Sequence, residues 1–281
     1  QHGADDFHGS GGELRVEERR VNWEILDVWR EAAAQTGIPK IKEFNTGDNF
    51  GNAYFQMNQR SGKRWSAARA FLDSAQKRPN LTVMTEAMVQ KLTLEQTDQG
   101  LVANGVHVRH KGHDQLITAR KEVLLAAGAV ASPQILQLSG IGEPELLQQH
   151  GIEVKCELPG VGQNLQDHLQ IRTIYSVDNT VTLNRRAKYP WGMAKMGLEY
   201  FFKKTGPMTM PPSQLGAFAK SDPAQASANI EWHVQPLSLD AFGSPLHKYD
   251  AITPSVCNLR PSSRGSISIT SVDPAAAPAI R

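Results

Sequence analysis

The 281-residue sequence predicts a mixed α/β (α+β) chain built on antiparallel sheets with helices against them. Three observations predict it. Apolar residues recur at helical spacing in two stretches, residues 22–37 and 190–204. Three short β-rich runs follow one another between residues 80 and 118, separated by Gly- or Asp-containing turns. Alternating runs return from "NIEWHV" to "RGSISITS" near the end.

Residues 1–20 are irregular, rich in Gly and charge. In "NWEILDVWREAAAQTG", Asn22 is a natural N-cap, and Ile25, Leu26, Trp29, Ala32 and Ala33 recur at helical spacing. Gly37 and Pro39 stop that helix. Residues 40–65 are polar and punctuated by Gly47, Gly51 and Gly62, which predicts loop. A second helix is expected from Ser66, with Ala67, Ala70, Phe71 and Ala75 on one side, ending before Pro79. "NLTVMTEAMVQKLTLEQ", "GLVANGVHVRHKG" and "HDQLITAR" then predict an antiparallel meander. "KEVLLAA" is continuously apolar, as in a strand buried on both faces of a sheet. Ser132 caps and Pro133 starts a short helix that Gly140 ends, and "EPELLQQHG" predicts another, stopped by Gly151. Residues 190–204 predict an amphipathic helix closed by Gly206 and Pro207.

Thirty basic side chains against 28 acidic ones leave a formal charge of +2, so no basic field favours nucleic acid as a partner. Cys156 and Cys257 lie far apart and predict two free thiols. The histidines show no ligand spacing, so no metal site is expected. No apolar run approaches the roughly 20 residues of a membrane-spanning helix. A cytoplasmic or peripherally membrane-associated protein is the expectation.

The stretch "AAGAVASPQILQLSGIG", Ala126–Gly142, turns an expected strand into a helix through small residues. Small side chains admit a ligand or another chain segment to contact with backbone. A helix that starts there points free N–H groups and partial positive charge at the corner, which suits an anion such as a pyrophosphate. Tight helix–strand packing explains the same residues without a ligand, and no G-x-G-x-x-G accompanies them.

"KEVLLAAGAVASPQILQLSGIG", followed by "LPGVGQNLQDH", resembles a signature of the glucose–methanol–choline (GMC) family of flavin oxidoreductases. "FHGSGGELRV", "GKRWSAARAFLDSAQKRPNLTVMTEAMVQKL" and "LRPSSRGSISITSVDPAAAPAI" resemble further segments of it, in the family's order. "HVQPLSLDAFG" is most similar to its choline-dehydrogenase-like members. The resemblance implies part of a Rossmann-like FAD-binding domain with a β-meander, beside an antiparallel-sheet substrate domain. Its expected divisions are an FAD-domain or loop remnant at 1–15, substrate-domain helices and loops at 16–79, an FAD-domain portion at 80–154 and the substrate sheet at 155–281. The implied activity is hydride transfer from a small-molecule alcohol such as choline to flavin N5, with FAD as cofactor. "GSGGEL" at Gly9–Leu14 does not match the family's G-x-G-x-x-G, because no apolar strand precedes it. The family's His-Pro-x-Gly-Thr pattern, which carries its catalytic His, is also not among these residues. The expectation is therefore a central fragment that names no catalytic residue, is inactive alone, retains no flavin tightly and exposes a sheet edge for a homodimer. The rival is a non-catalytic module of the same fold that binds a small molecule or a partner.

Residue by residue, the resemblance carries over little. Val89 matches the position whose backbone meets the adenine of FAD, and Gly128 and Ala129 match the small residues near the dinucleotide. Asn164, Asp167 and His168 are read as satisfying buried backbone groups. On a strand, Glu231 and His233 share a face and Trp232 takes the other. Two registers follow. Either Glu231 faces a pocket and holds a cationic or polar substrate, or Trp232 does and takes a quaternary ammonium on its ring; a polar pair exposed to solvent explains the same residues without a ligand. Asn258 is a further pocket candidate; Arg260 and Arg264 are read as surface or loop-bracing charges.

Overall fold

A computed structural model describes residues 3–241 and 243–281. In chain order the elements are α1 (Glu24–Gln35), β1 (Gly51–Tyr54), β2 (Gln59–Arg60), β3 (Lys63–Arg64), a π-helical turn at Ala68–Leu72 leading into α2 (Asp73–Ala75), β4 (Ala87–Thr97), β5 (Gly100–His110) and β6 (His113–Thr118). Next come α3 (Gly128–Leu138), β7 (Ile141–Gly142), α4 (Pro144–Gln149), β8 (Cys156–Glu157), β9 (Gln163–Leu165), β10 (Gln170–Arg172) and β11 (Tyr175–Ser176). The last are α5 (Leu183–Ala187), α6 (Pro190–Lys203), a 3₁₀ turn at Pro207–Thr209, β12 (Leu215–Ala219), β13 (Ile230–Gln235), β14 (Ala251–Asn258), β15 (Gly265–Ser268) and β16 (Ala279–Ile280).

Two compact units share this chain. One is Gln1–Leu81 with His168–Arg260, the other Thr82–Asp167 with Pro261–Arg281. These divisions differ from the expected ones: residues 155–167 and 261–281 pack with the meander, not with the large sheet. The cause is local. β9 pairs with β15, and the Gln137 side chain of α3 reaches the backbone of Ile267 and Ile269.

The first unit is an antiparallel sheet in the order β1-β12-β13-β14-β10, with β11 on the other end of β14. Leu215 on β12 and Val234 on β13 face α1, where they pack with Trp23, Leu26 and Tyr54. Burial of Leu26 and Leu215 contributes about 1.5–3 kcal/mol each. Glu24 and Asp27 sit in the first turn of α1, where the helix dipole favours negative charge. The N-cap is Trp23, not the expected Asn22, and no side chain caps it. Trp23 is wanted in the core, and its Nε1 meets Met210 Sδ at 3.3 Å.

Residues 40–65 are not all loop. β1 is fully buried at the sheet edge, and Asn52 donates to the Ile38 carbonyl at 2.6 Å and accepts from Arg30 Nε at 3.2 Å. The helix predicted from Ser66 forms, but as a π turn running into α2. α6 spans its expected range, and Lys204 in the left-handed conformation ends it before Gly206 is reached.

The second unit holds the meander β4-β5-β6, the small sheet β16-β15-β9 and the parallel pair β7-β8. The expected strand at "KEVLLAA" is absent. Residues 122–126 form no regular element, no strand among the described residues pairs with them, and Leu124 is 81% exposed. A continuous apolar run specifies a doubly covered strand only where sheet neighbours exist. α3 also starts earlier than expected, at Gly128, which puts Pro133 inside it. The proline removes one interior hydrogen bond, toward the carbonyl of Ala129.

Gln137 is fully buried and clasps this unit. Its Nε2 donates to Ile267 O at 3.1 Å and Val161 O at 3.4 Å, and its Oε1 accepts from Ile269 N at 2.9 Å. Ser139 Oγ accepts from Leu92 N at 2.8 Å, tying α3 to β4.

Candidate functional site

The small-residue corner lies in the second unit. Residues 126–130 are exposed, and Gly128 has φ +82° with nothing within 4 Å of the position a Cβ would occupy. Backbone conformation, not crowding, selects glycine there. α3 begins at this residue without a side-chain cap, so its first N–H groups have no side-chain acceptor. Ala129 lines a groove of about 440 Å³ with Pro133, Leu136, Gly162, Asn164 and Ile267. Asn164 holds φ +63°, a conformation Asn tolerates better than most residues. Val89 is half-buried on β4 opposite Val108, one residue before a bulge, and does not line that groove. The corner is thus open and electropositive at backbone level, a form that fits a dinucleotide's pyrophosphate.

In the first unit, cross-strand register puts Glu231 beside Phe218 and Cys257, and His233 beside Gly216 and Ser255. These residues share one sheet face. Trp232 and Asn258 occupy the other, and Trp232 packs on the core cluster around Leu215 and Val234. That decides the register left open by the sequence: Trp232 is not a pocket wall, and Glu231 and Trp232 do not line one site. Asn258 is exposed, and its Oδ1 accepts from Arg260 N at 3.0 Å, which makes it a turn brace.

His233 Nε2 lies 2.6 Å from Glu231 Oε1, and Cys257 Sγ 3.7 Å from Glu231 Oε2. The Glu231 side chain is only 14% exposed, whereas His233 is 37% exposed. Phenylalanines flank the pair. Phe55 meets His233 edge-on at 5.6 Å, and Phe44 contacts Phe55 at 5.3 Å and Phe218 at 4.8 Å between ring centroids. Gly216 is glycine because Phe55 lies over it; an added Cβ would clash with the ring. A carboxylate beside aromatic rings is suited to a cation that is too bulky for hydrogen bonding. The sequence reading missed Phe44, Phe55 and Cys257 here. The small-then-aromatic pattern "GNAYF" was the available signal for Phe55.

Burial, and next the Glu231 carboxylate, push the Cys257 thiol up to about 11. At pH 8 it is therefore protonated. Alkylation of Cys257 by iodoacetamide is expected to run at least about a hundredfold slower than that of a free thiol, and to recover on unfolding. Peptide mapping after labelling checks this, and equal labelling of native and unfolded protein would contradict it. Among the described residues, no group of three or more His, Cys, Asp or Glu side chains could hold a metal ion, and no helix is long and apolar enough to cross a membrane.

A family model described as GMC oxidoreductase matches residues 4–170. The chain is 36% identical over 281 residues to an oxygen-dependent choline dehydrogenase from Chromohalobacter salexigens, covering 99% of this chain and 49% of that protein. It is 35% identical to the mitochondrial choline dehydrogenase of Homo sapiens, covering 99% and 46%. An FAD-dependent oxidoreductase from Chaetomium thermophilum superposes with a TM-score of 0.79 at 25% identity, covering 97% of this chain and 53% of that one. The chain spans about half the length of the curated relatives it matches. With more than half of its residues inside the family match, the chain belongs to the GMC oxidoreductase family.

Proposed function

We propose that this chain is the central part of an FAD-dependent alcohol oxidoreductase acting on a cationic alcohol such as choline. The observation that carries this is the open Gly128 corner at the uncapped start of α3. Gly128 and Ala129 leave room for the dinucleotide backbone, and the first N–H groups of α3 offset its charge. Val89 contributes a backbone contact to the adenine. Bound FAD supplies a hydride acceptor, which no side chain can provide.

The rest falls to side chains. Glu231 holds the cationic end of the alcohol, and Phe44, Phe55 and Phe218 exclude water from that end. His233, joined to Glu231, fixes the carboxylate's orientation. Relatives named choline dehydrogenase support the choice of substrate class. The chain by itself neither turns over nor retains flavin tightly, since no G-x-G-x-x-G occurs among its residues. We extend the reading to a homodimer paired through an exposed sheet edge, and to a location in the cytoplasm or peripheral to a membrane.

The test is anaerobic mixing of the full-length protein with choline and with its uncharged isostere 3,3-dimethylbutan-1-ol. Loss of the oxidised-flavin absorbance with choline is the expected result. A full-length protein without flavin, or one whose flavin no alcohol reduces, would overturn the reading in favour of a binding module.

A further inference from the structure

α6 presents an unusual outer surface for a helix at the edge of a soluble fold. None of its residues is buried. At about 100° per residue, Trp191, Leu198 and Phe202 fall on one stripe, with Ala194 and Phe201 beside it. That stripe is the exposed side: Trp191 is 70% exposed, Leu198 59%, Phe201 69% and Phe202 75%. The half-buried residues Met196, Glu199 and Tyr200 face inward. The usual pattern, apolar inside and polar outside, is reversed.

The charge around the stripe has one sign. Residues 185–204 carry Arg185, Arg186, Lys188, Lys195, Lys203 and Lys204 against a single acid, Glu199. A groove of about 590 Å³ opens beside the helix, lined by Arg185, Arg186, Tyr189, Trp191, Lys195 and the single carboxylate Glu199 among others. Asp250 holds Arg185 at 2.6 Å. Arg186 lies over the Trp23 ring at 4.4 Å, and among the described residues neither it nor Lys195 has a carboxylate partner.

We propose that α6 docks this protein on an anionic lipid bilayer, lying in the plane of the headgroups. Trp191, Leu198, Phe201 and Phe202 insert among the upper acyl carbons, and Lys195 and Arg186 meet lipid phosphates at the groove. Charge complementarity selects this occupant: an acidic surface matches the cations, and a second copy of the same helix would repel them. The 14-residue length suits an interfacial position and is too short to span a bilayer.

The test is flotation of the full-length protein with vesicles of phosphatidylcholine alone or mixed with phosphatidylserine. The protein is expected to float with the anionic vesicles and to be released by high salt. Phe202→Glu should weaken partitioning at least about tenfold, and Lys195→Ala and Arg186→Ala about fivefold each. Because Phe202 and Lys195 are exposed, the thermal midpoints of Phe202→Glu and Lys195→Ala should match the parent's, which separates lost docking from lost folding. Three results would overturn the proposal: no flotation on anionic vesicles at low salt, equal flotation on both compositions, or a Phe202→Glu protein that floats like the parent. A Phe202→Glu variant that changes only the oligomeric state would assign the surface to a second copy instead, and would equally overturn it.

Discussion

Gly162→Ala is expected to lower the stability of the second unit by about 2–5 kcal/mol. Two costs add. Gly162 has φ +80°, which an alanine adopts at about 1–2 kcal/mol. Its new Cβ would also press into the Ile267 carbonyl and lie 2.7 Å from Gln137 Nε2. Neither neighbour yields freely, because the Ile267 N–H bonds Gly162 O at 2.7 Å and Gln137 is held by the three backbone contacts already described. Overpacking of that kind costs about 1–3 kcal/mol by itself. Gly160 is the control. It stands two residues earlier, its φ is not positive and its Cβ would meet nothing within 4 Å, so Gly160→Ala should be nearly neutral. Urea unfolding followed by hydrogen exchange at Ile267 and Ile269 would measure both. Similar midpoints for the two variants would show that the clasp tolerates displacement.

Glu231→Gln in the full-length protein is expected to raise KM for choline by about thirtyfold, with kcat changed by less than about threefold. A partly buried carboxylate acting on a cation contributes about 2 kcal/mol. Gln keeps the shape of Glu231 and an oxygen for His233, and removes only the charge. The effect should therefore vanish with 3,3-dimethylbutan-1-ol, and Glu231→Asp should restore part of the choline KM. A KM effect confined to the charged alcohol reports ground-state binding of the cation. An equal rise for both alcohols would mean instead that Glu231 only braces His233 and Cys257 across β13 and β14.

Legibility in the sequence followed how much each signal depended on distant partners. α1, α6 and the meander strands were readable because their patterns are local: helical spacing for the first two, short β-rich runs between turns for the last. β1 was not, because "GNAY" is short, polar and small, and becomes a strand only through its register with β12. "KEVLLAA" misled for the opposite reason, since its composition reports the neighbours a strand wants and the described residues offer none. Pro133 was read as a helix start because proline is favoured there, whereas Gly128 sets the true start with a backbone angle that composition does not reveal. At the candidate site, the shared face of Glu231 and His233 was readable from alternation alone. Which face was which required Trp232 to be seen against the core. The phenylalanines that complete that face come from a stretch whose polar, Gly-rich composition signalled only loop.

The interleaving of the two units sets an order of events during synthesis. The two units alternate along the chain, and the second needs its last stretch, Pro261–Arg281, to complete β15 and β16. Gln137 leaves the ribosome long before Ile267 and Ile269, the groups it must bind. Until those arrive, the Gln137 amide, fully buried in the folded unit, stands open to solvent or to chaperones. Closure of either unit is thus a late, long-range step, slow by the ordinary cost of distant contacts.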